Sequence, residues 1–232
     1  MKKHIPNTVT CLNLLAGCIG IVMAFNGKLN WASYLIIIAA FFDFLDGMIA
    51  RLLKAYSEIG KQLDSLADMI SFGFLPAAIV YQLFLVAPQV GEISPYLNYS
   101  AFLIAIFSAL RLAKFNIDER QTENFIGLPT PANALLIASL PLIIQTGSSF
   151  FSAYILNAFF LFIFSLGMSL LLVMEIPLFS LKFKSLGFRE NLFRYILLIA
   201  GLFLILILNF AAIPLIIFLY IILSVIQFRL IR

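Results

Sequence analysis

Residues 41–74 read FFDFLDGMIARLLKAYSEIGKQLDSLADMISFGF and combine apolar runs with acidic residues. Five of the chain's 11 acidic residues fall in it, within or beside two predicted membrane helices. A carboxylate near the middle of a bilayer costs about 2.5–3.5 kcal/mol on insertion scales. Four of these acidic residues must therefore face a protein interior, a water-filled cavity or a cation; they are Asp43, Asp46, Asp64 and Asp68.

The composition around this stretch is that of a membrane protein. Of 232 residues, 63% are apolar and 11% are charged, and the mean hydropathy is +1.08. A soluble domain carries roughly 25% charged residues, because water solvates its surface. We therefore predict an all-α, polytopic bundle of transmembrane helices that forms a single membrane domain over residues 1–232.

The length of the apolar runs predicts how many times the chain crosses the membrane. A bilayer core about 30 Å thick needs around 20 apolar residues per helix. The chain then has eight predicted spans, with six as the minimum, and the last two could instead form one helical hairpin with a shallow tip. The predicted spans are 6–25, 31–53, 58–86, 97–115, 131–147, 151–174, 192–209 and 211–230.

Basic residues predict the orientation. With a cytoplasmic N-terminus, 14 of the 15 lysines and arginines lie inside and only Lys28 lies outside, as the positive-inside rule expects. Both termini are then cytoplasmic, and we expect the protein in the cell (inner) membrane. The inside residues are Lys2, Lys3, Arg51, Lys54, Lys61, Arg111, Lys114, Arg120, Lys182, Lys184, Arg189, Arg194, Arg229 and Arg232.

The N-terminal segment needs a check against a cleaved signal. A lipoprotein-like box, LAGC at 15–18, follows two lysines, but four polar residues between positions 7 and 13 interrupt the apolar run. We therefore predict a first span that is retained. Cys11 and Cys18 would lie about two turns apart on one helix, too far for a disulfide, and are expected to be small core residues.

The spacing of the aspartates places them on two facing stripes. Asp43 and Asp46 are three residues apart, and Asp64 and Asp68 are four apart, so each pair projects from one face of its helix. Only a few residues around 55–57 join the two helices, which makes them antiparallel neighbours. The four carboxylates are therefore predicted to meet near the cytoplasmic end.

Four carboxylates that meet in a low-dielectric site repel one another unless some are protonated or cations neutralise them. Oxygen ligands without histidine or cysteine favour Mg²⁺, Mn²⁺ or Ca²⁺ over zinc. The single histidine, His4, is expected at the surface. Gly47 and Gly60 lie beside the acids, where they either allow helix packing or leave room for a ligand.

Read as a pattern, residues 43–68 are DxxDGxxARx8Gx3Dx3D, and every fixed position is occupied. This pattern resembles the signature of the CDP-alcohol phosphotransferase family. The resemblance implies that the aspartates hold a pair of divalent ions, that an alcohol attacks the β-phosphorus of a CDP-linked substrate, and that CMP leaves. It makes Asp43, Asp46 and Asp64 metal ligands, and Asp68 the catalytic base and a ligand of the second metal.

The resemblance also places the nucleotide over the small residues of the signature. Arg51 could bind a phosphate oxygen or brace the carboxylates, and we favour bracing because a buried arginine needs a partner. The predicted CDP-lipid-binding residues are Asn7, Thr10, Gly47, Ala50, Arg51 and Gly60.

The acceptor is predicted from a second segment, RLAKFNIDERQTENFIGLPTPA at 111–132. With the opening IPNTVTCLNLLAG and the later SFGFLPA, it is similar to the bacterial and archaeal phosphatidylserine synthases of this family, over much of residues 5–133. The resemblance implies CDP-diacylglycerol as donor and serine as acceptor. Arg111, Lys114 and Asn116 would bind the zwitterionic serine, although Arg111 and Lys114 could instead be interfacial anchors.

Other functions remain open from the sequence. The acceptor could be glycerol 3-phosphate or an inositol phosphate, which would need more basic residues around the site. An ion-coupled secondary transporter would also retain carboxylates in the membrane, but it would more often have two related halves. We expect catalytic core spans in 5–147, additional packing spans in 148–232, and a homodimer.

Overall fold

A computed structural model describes residues 4–88, 94–118, 125–147, 149–181, 187–188 and 191–230. Seven of the predicted cytoplasmic basic residues lie outside this part of the chain: Lys2, Lys3, Arg120, Lys182, Lys184, Arg189 and Arg232. The described residues form eleven α-helices: α1 His4–Phe25, α2 Leu29–Leu53, α3 Glu58–Asp68, α4 Leu75–Val86, α5 Ser94–Leu97, α6 Phe102–Ile117, α7 Thr130–Gln145, α8 Ser149–Ile155, α9 Ala158–Val173, α10 Leu192–Leu208 and α11 Ala212–Leu230.

The protein is a helical membrane protein, as predicted. Four stretches of the described chain are long and apolar enough to cross a bilayer: His4–Phe25, Glu58–Val86, Asn98–Ile117 and Leu192–Arg229. Thr130–Gln145 and Ala158–Val173 are shorter apolar helices. Helical segments lie at all eight predicted spans, with the sixth divided between two helices, and the number that crosses the membrane stays a prediction.

The signature helices α2 and α3 are joined by a tight connection. Lys54 ends α2 in the left-handed conformation, with φ of 49°. Its backbone N–H donates hydrogen bonds to the backbone oxygens of Ala50 and Arg51. Ser57 then caps α3, because its hydroxyl accepts a 3.0 Å hydrogen bond from the backbone N–H of Gly60. This connection makes the two helices neighbours, as the short linker predicts.

The third predicted span is continuous but changes its helix type. Between α3 and α4 the chain forms a π-helical turn at Met69–Phe74, directly after Asp68. Such turns are rare and are found mostly within α-helices, frequently at functional sites. The turn buries Ser71, Phe72 and Gly73. It joins the acidic helix to α4, which is buried over most of its length.

The sixth predicted span, 151–174, is wrong as a single helix. The chain ends α8 at Ile155 and starts α9 at Ala158. Asn157 causes the restart, because its side-chain oxygen accepts 3.0 Å hydrogen bonds from the backbone N–H groups of Phe159 and Phe160. Asparagine favours such a cap over a helix interior.

The last two predicted spans form α10 and α11, which pack against each other around a 3-10 turn at Asn209–Ala211. Their 17 and 19 residues correspond to about 26 and 28 Å at 1.5 Å per residue, close to the thickness of a bilayer core. We refer to α10, the turn and α11 together as the C-terminal hairpin.

The buried residues form two apolar clusters. The larger one contains Ile36, Phe72, Ile79 and Ile137, and joins α2, the π-helical turn, α4 and α7. The smaller one joins the region around Leu128 to the C-terminal hairpin and consists of Leu128, Leu136, Met168, Leu178, Phe179, Leu197, Ile217, Tyr220 and Leu223. Cys11 and Cys18 are free and exposed on α1, so the expectation that they are core residues is wrong.

A two-stranded ribbon adds to the all-α prediction. Strand β1, Phe125–Ile126, pairs antiparallel with β2, Pro177–Leu178. Gly127 follows β1 with φ of +76°, and a Cβ there would lie 2.5 Å from the backbone oxygen of Leu172. Only glycine fits this close approach. The ribbon therefore fastens the start of α7 to the end of α9.

Candidate active site

Three of the predicted aspartates come together where α2 and α3 face each other. Carboxylate oxygens of Asp43, Asp64 and Asp68 all lie within 4.8 Å of one another. Asp68 is buried, with 8% of its surface exposed, and the other two are half-buried. Three of the four carboxylates that were predicted to meet therefore do so.

These residues fit a divalent cation. The Oδ1 atom of Asp64 is buried and has no hydrogen-bond partner among the described residues. Within the same part of the chain, neither a lysine nor an arginine forms a salt bridge with the three carboxylates. Burying like charges without compensation is strongly unfavourable. Hard oxygen ligands at this spacing suit Mg²⁺, Mn²⁺ or Ca²⁺.

Asp46 lies beside this cluster and has its own hydrogen-bond partner. Its carboxylate is buried, and Oδ2 accepts a 2.7 Å hydrogen bond from the hydroxyl of Thr10 on α1. The donor fixes the direction of this carboxylate. Asp46 also lines the cavity described below, so it lies between the acidic cluster and the predicted nucleotide site.

Helix α1 contributes a polar face of which only Asn7 and Thr10 were predicted as site residues. Asn7, Thr10 and Asn13 are spaced by three residues, which places them on one side of the helix. The amide of Asn13 is fully buried and donates a 3.3 Å hydrogen bond to Asp68 Oδ1. Its backbone oxygen accepts a 3.0 Å hydrogen bond from Ser71. Asn13 was missed as a site residue, although the spacing of the three polar residues was a signal.

A cavity of about 240 Å³ opens beside the acidic cluster, between α1, α2 and α3. All six residues predicted to bind the CDP-lipid line it: Asn7, Thr10, Gly47, Ala50, Arg51 and Gly60. The remaining lining residues are Pro6, Asp46, Ala55, Tyr56, Ser57, Lys61 and Asp64. The signature pattern therefore describes one continuous site of carboxylates and an adjoining cavity.

The two glycines of the signature have different surroundings. A Cβ on Gly60 would lie 2.9 Å from Ser57 Oγ and 3.0 Å from Asn7 Oδ1, so both side chains would have to shift to admit it. A Cβ on Gly47 would meet only Arg51 Nη1, at 3.5 Å. Packing explains Gly60, whereas the described residues give no packing reason for Gly47.

Arg51 lies on the cavity lining and is exposed. It forms no salt bridge with the carboxylates within the described chain. The favoured interpretation, that Arg51 braces the aspartates, is therefore not what the structure has. The guanidinium lies close to Gly47 and the open space of the cavity, where an anionic group can reach it.

The three residues predicted to bind serine lie in three different environments. Arg111 is buried, with its guanidinium 5.4 Å from the Phe115 ring centroid and within electrostatic range of Asp68. Lys114 is exposed. Asn116 faces α3, since its amide donates a 2.8 Å hydrogen bond to Ser65 and its backbone oxygen accepts one from Lys61 at 3.1 Å. Of the three, Arg111 alone is buried next to the acidic cluster.

The model of the CDP-alcohol phosphatidyltransferase family matches residues 3–179 of this chain. The match covers the acidic cluster, the cavity and the ribbon, and it ends at Phe179. The chain therefore belongs to the CDP-alcohol phosphatidyltransferase family, and the resemblance read from residues 43–68 is confirmed.

The chain is also similar to individual members of this family. A CDP-diacylglycerol–serine O-phosphatidyltransferase from Mycobacterium leprae is 36% identical over 182 residues, which are 75% of this chain and 57% of that protein. One of the same name from Helicobacter pylori is 33% identical over 199 residues, 85% of this chain and 80% of that protein. An archaetidylserine synthase from Methanothermobacter thermautotrophicus is 36% identical over 138 residues. The chain thus spans little more than half of the first of these relatives.

Proposed function

We propose that this protein transfers a phosphatidyl group from CDP-diacylglycerol to L-serine and releases phosphatidylserine and CMP. The observation that carries the proposal is the acidic cluster, whose carboxylates lie within 4.8 Å of one another beside a cavity lined by the signature residues. The names of the relatives from Mycobacterium leprae and Helicobacter pylori support serine as the acceptor.

The proposed reaction is a single displacement at the β-phosphorus of the donor. The serine hydroxyl oxygen forms a bond to this phosphorus, and the bond from phosphorus to the bridging oxygen of the diphosphate breaks. CMP leaves with that oxygen. Asp68 accepts the hydroxyl proton, and the Asn13 amide, 3.3 Å from Oδ1, orients the Asp68 carboxylate for this role.

Asp43, Asp64 and Asp68 would hold the metal, and Asp46 would approach it from the Thr10 side. A divalent ion, or a pair of them, would supply neutralisation of negative charge on the transferring and leaving oxygens. A diphosphate bound in the adjoining cavity would lie next to Gly47, where a Cβ would occupy part of the same space. Arg51 at the cavity edge is placed to bind a phosphate oxygen of the donor.

Arg111 is the residue that best suits the serine carboxylate. It is buried and lies within electrostatic range of Asp68, the proposed base, and its Nε has no hydrogen-bond partner within the described residues. A carboxylate bound there would bring the serine hydroxyl toward the acidic cluster. Lys114 and Asn116 stay weaker proposals, because one is exposed and the other is bound to Ser65.

The proposal is tested with the purified full-length protein in detergent. CDP-diacylglycerol, Mg²⁺ or Mn²⁺ and one labelled alcohol at a time are supplied, and CMP release is measured. We expect release with serine that stops on chelation and returns when the metal is restored. Release with glycerol 3-phosphate or inositol phosphate but not with serine would remove the proposed acceptor. Absence of metal-dependent release with every alcohol would remove the proposed reaction.

We also infer that the protein lies in the cell (inner) membrane with the active site at the cytoplasmic face, in a homodimer. The charge asymmetry of the loops supports the orientation. The exposed apolar face of α10, which includes Ile199, Leu202 and Leu206, would face either lipid or the partner subunit. The division into a catalytic core at 5–147 and packing spans at 148–232 belongs to the same proposal. Cross-linking in native membranes tests the homodimer.

A further inference from the structure

Two hydrogen bonds join the end of α6 to α3. The side-chain amide of Asn116, in the last turn of α6, donates a 2.8 Å hydrogen bond to Ser65 Oγ, 51 residues away in the chain. Lys61 Nζ donates a 3.1 Å hydrogen bond to the Asn116 backbone oxygen. The Ser65 hydroxyl in turn donates to the Lys61 backbone oxygen, at 3.3 Å. We refer to Asn116, Ser65 and Lys61 together as the α3–α6 junction.

A second contact places α6 against the same stretch of chain, eight residues further on. Helix α6 packs against the π-helical turn that follows α3. A Cβ on Gly73 in this turn would lie 3.1 Å from the Cβ of Ser108, which is fully buried on α6. Ser65 and Gly73 are eight residues apart, and so are Asn116 and Ser108, in the reverse order. The two stretches therefore run antiparallel, with one contact at each end.

Arg111 and Asp68 lie between these two contacts. Asp68 comes three residues after Ser65, and Arg111 comes five residues before Asn116. Counted inward from the junction, Arg111 falls opposite Ile70, two residues past Asp68, and this offset is about 3 Å along the helix axis. Both side chains are buried. The register of α6 on this stretch therefore sets how far the guanidinium lies from the carboxylate of the proposed base.

The acidic helix also has contacts that do not involve α6. The Asn13 amide on α1 donates a 3.3 Å hydrogen bond to Asp68 Oδ1. The backbone oxygen of Asn13 accepts a 3.0 Å hydrogen bond from Ser71 in the π-helical turn. Loss of the junction should therefore let α6 move, and Arg111 with it, while Asp68 keeps its place in the acidic cluster.

We propose that Asn116 is a positioning residue. Through Ser65 it sets the register of α6 against α3, and with it the distance between Arg111 and Asp68. An acceptor whose carboxylate is bound by Arg111 and whose hydroxyl proton passes to Asp68 must span this distance, so the junction selects for the length of the acceptor. The junction has this role only if Arg111 binds the serine carboxylate and Asp68 is the base, so the inference rests on the proposed function.

The first test is the variant Asn116→Ala, which removes the side-chain bond of the junction. We expect the KM for serine to rise roughly three- to tenfold, the effect of losing one neutral hydrogen bond. The kcat and the KM for CDP-diacylglycerol should stay near the values of the unmodified protein. An unchanged KM for serine, or an equal rise for both substrates, would overturn the proposal.

Homoserine, whose chain is one methylene longer than that of serine, provides a second readout. A loosened register should reduce the preference for serine over homoserine, measured as the ratio of their kcat/KM values. General destabilisation would lower both values equally and leave the ratio unchanged, which contradicts the proposal. Asn157→Ala is the matched control, because it removes the hydrogen bonds by which Asn157 caps α9. It should change neither the KM for serine nor the preference.

Ser65→Ala distinguishes positioning from direct contact with serine. The variant removes the same bond from the α3 side and leaves the Asn116 amide free. If Asn116 positions α6, Ser65→Ala should raise the KM for serine as much as Asn116→Ala does, and the double variant should add little to either. A KM that stays the same or falls would mean that Asn116 binds serine itself. Additive effects would mean that the bond between the two residues is not the cause, and either result overturns the proposal.

The register of α6 is also measured without turnover. In a variant with Cys11 and Cys18 replaced by alanine, spin labels are attached through Ile59→Cys on α3 and Ile106→Cys on α6, both at exposed positions. Pulsed electron paramagnetic resonance should give a shifted or broader distance distribution once Asn116→Ala is added, and an unchanged distribution would overturn the role of the junction. The proposed function fails separately, if the unmodified protein releases no CMP with serine.

Discussion

The hydroxyl of Thr10 on α1 donates a 2.7 Å hydrogen bond to the Asp46 carboxylate on α2, 36 residues away in the chain. Helix α1 therefore takes part in the acidic site although it carries no acidic residue. The bond is buried, so water cannot easily replace it.

Removing the Thr10 hydroxyl should weaken the reaction with CDP-diacylglycerol. Thr10→Val keeps the side-chain shape and leaves the Asp46 carboxylate without its partner. Because a hydrogen bond to a charged group is worth about 1.5–3 kcal/mol, we expect kcat/KM for CDP-diacylglycerol to fall roughly ten- to a hundredfold. Thr8→Val on the exposed face of α1 is the matched control and should retain activity. Equal activity of both variants would exclude a role for the Thr10 hydroxyl.

The second prediction uses the free space around Gly47. Gly47→Ala meets no protein atom closer than Arg51 Nη1 at 3.5 Å, and alanine favours a helix over glycine by about 1 kcal/mol, so the fold should be retained or stabilised. We nevertheless expect the KM for CDP-diacylglycerol to rise, because the added methyl group enters the cavity. Thermal unfolding and steady-state kinetics measure the two effects.

The matched control for Gly47 is Gly167→Ala on α9, where no atom lies within 4 Å of the added Cβ. Both substitutions should have similar effects on the unfolding temperature, and only Gly47→Ala should affect the KM. Unchanged kinetics in Gly47→Ala would show that no ligand approaches this backbone.

The third prediction concerns the base. Asp68→Asn keeps the size of the side chain and removes its capacity to accept a proton, so we expect kcat to fall at least about a hundredfold. Binding of CDP-diacylglycerol, measured by calorimetry with the purified protein, should be largely retained. Glu58→Gln changes an exposed carboxylate on the same helix and should leave kcat unchanged. Normal turnover by Asp68→Asn would refute the assignment of Asp68 as base.

The fourth prediction concerns orientation. In a variant with Cys11 and Cys18 replaced by alanine, a cysteine is introduced by Lys28→Cys, before α2, or by Lys54→Cys, after it. A membrane-impermeant maleimide should label the first from outside intact cells and the second only after permeabilisation. Labelling in the opposite order would place the acidic cluster at the outer face.

Much of the site was predictable because it is local. Asp43 and Asp64 belong to consecutive helices joined by a short linker, so their convergence follows from helix geometry and the linker alone. All six residues predicted for the CDP-lipid line one cavity for the same reason. The clustering of the acids was likewise predictable, because carboxylates in the bilayer require compensation.

The rest depends on contacts between distant parts of the chain. The bond from Asn13 to Asp68 spans 55 residues, and the bond from Tyr220 to Phe179 spans 41. Nothing in the local pattern around Tyr220 distinguishes it from other aromatic residues in an apolar helix. The ribbon of Phe125–Ile126 and Pro177–Leu178 has strands of two residues, too short for an alternating pattern to be recognised.

The π-helical turn at Met69–Phe74 sets the angle between the buried faces of α3 and α4. A π-helical turn holds one residue more than an α-helical turn, and each residue of an α-helix advances by about 100°. The wide turn absorbs this extra residue: in an uninterrupted α-helix of the same sequence, the buried face of Leu75–Val86 would be rotated by about 100° relative to Asp64 and Asp68. The angle between the acidic cluster and the larger apolar cluster therefore depends on the backbone keeping this turn, although none of the four aspartates lies in it.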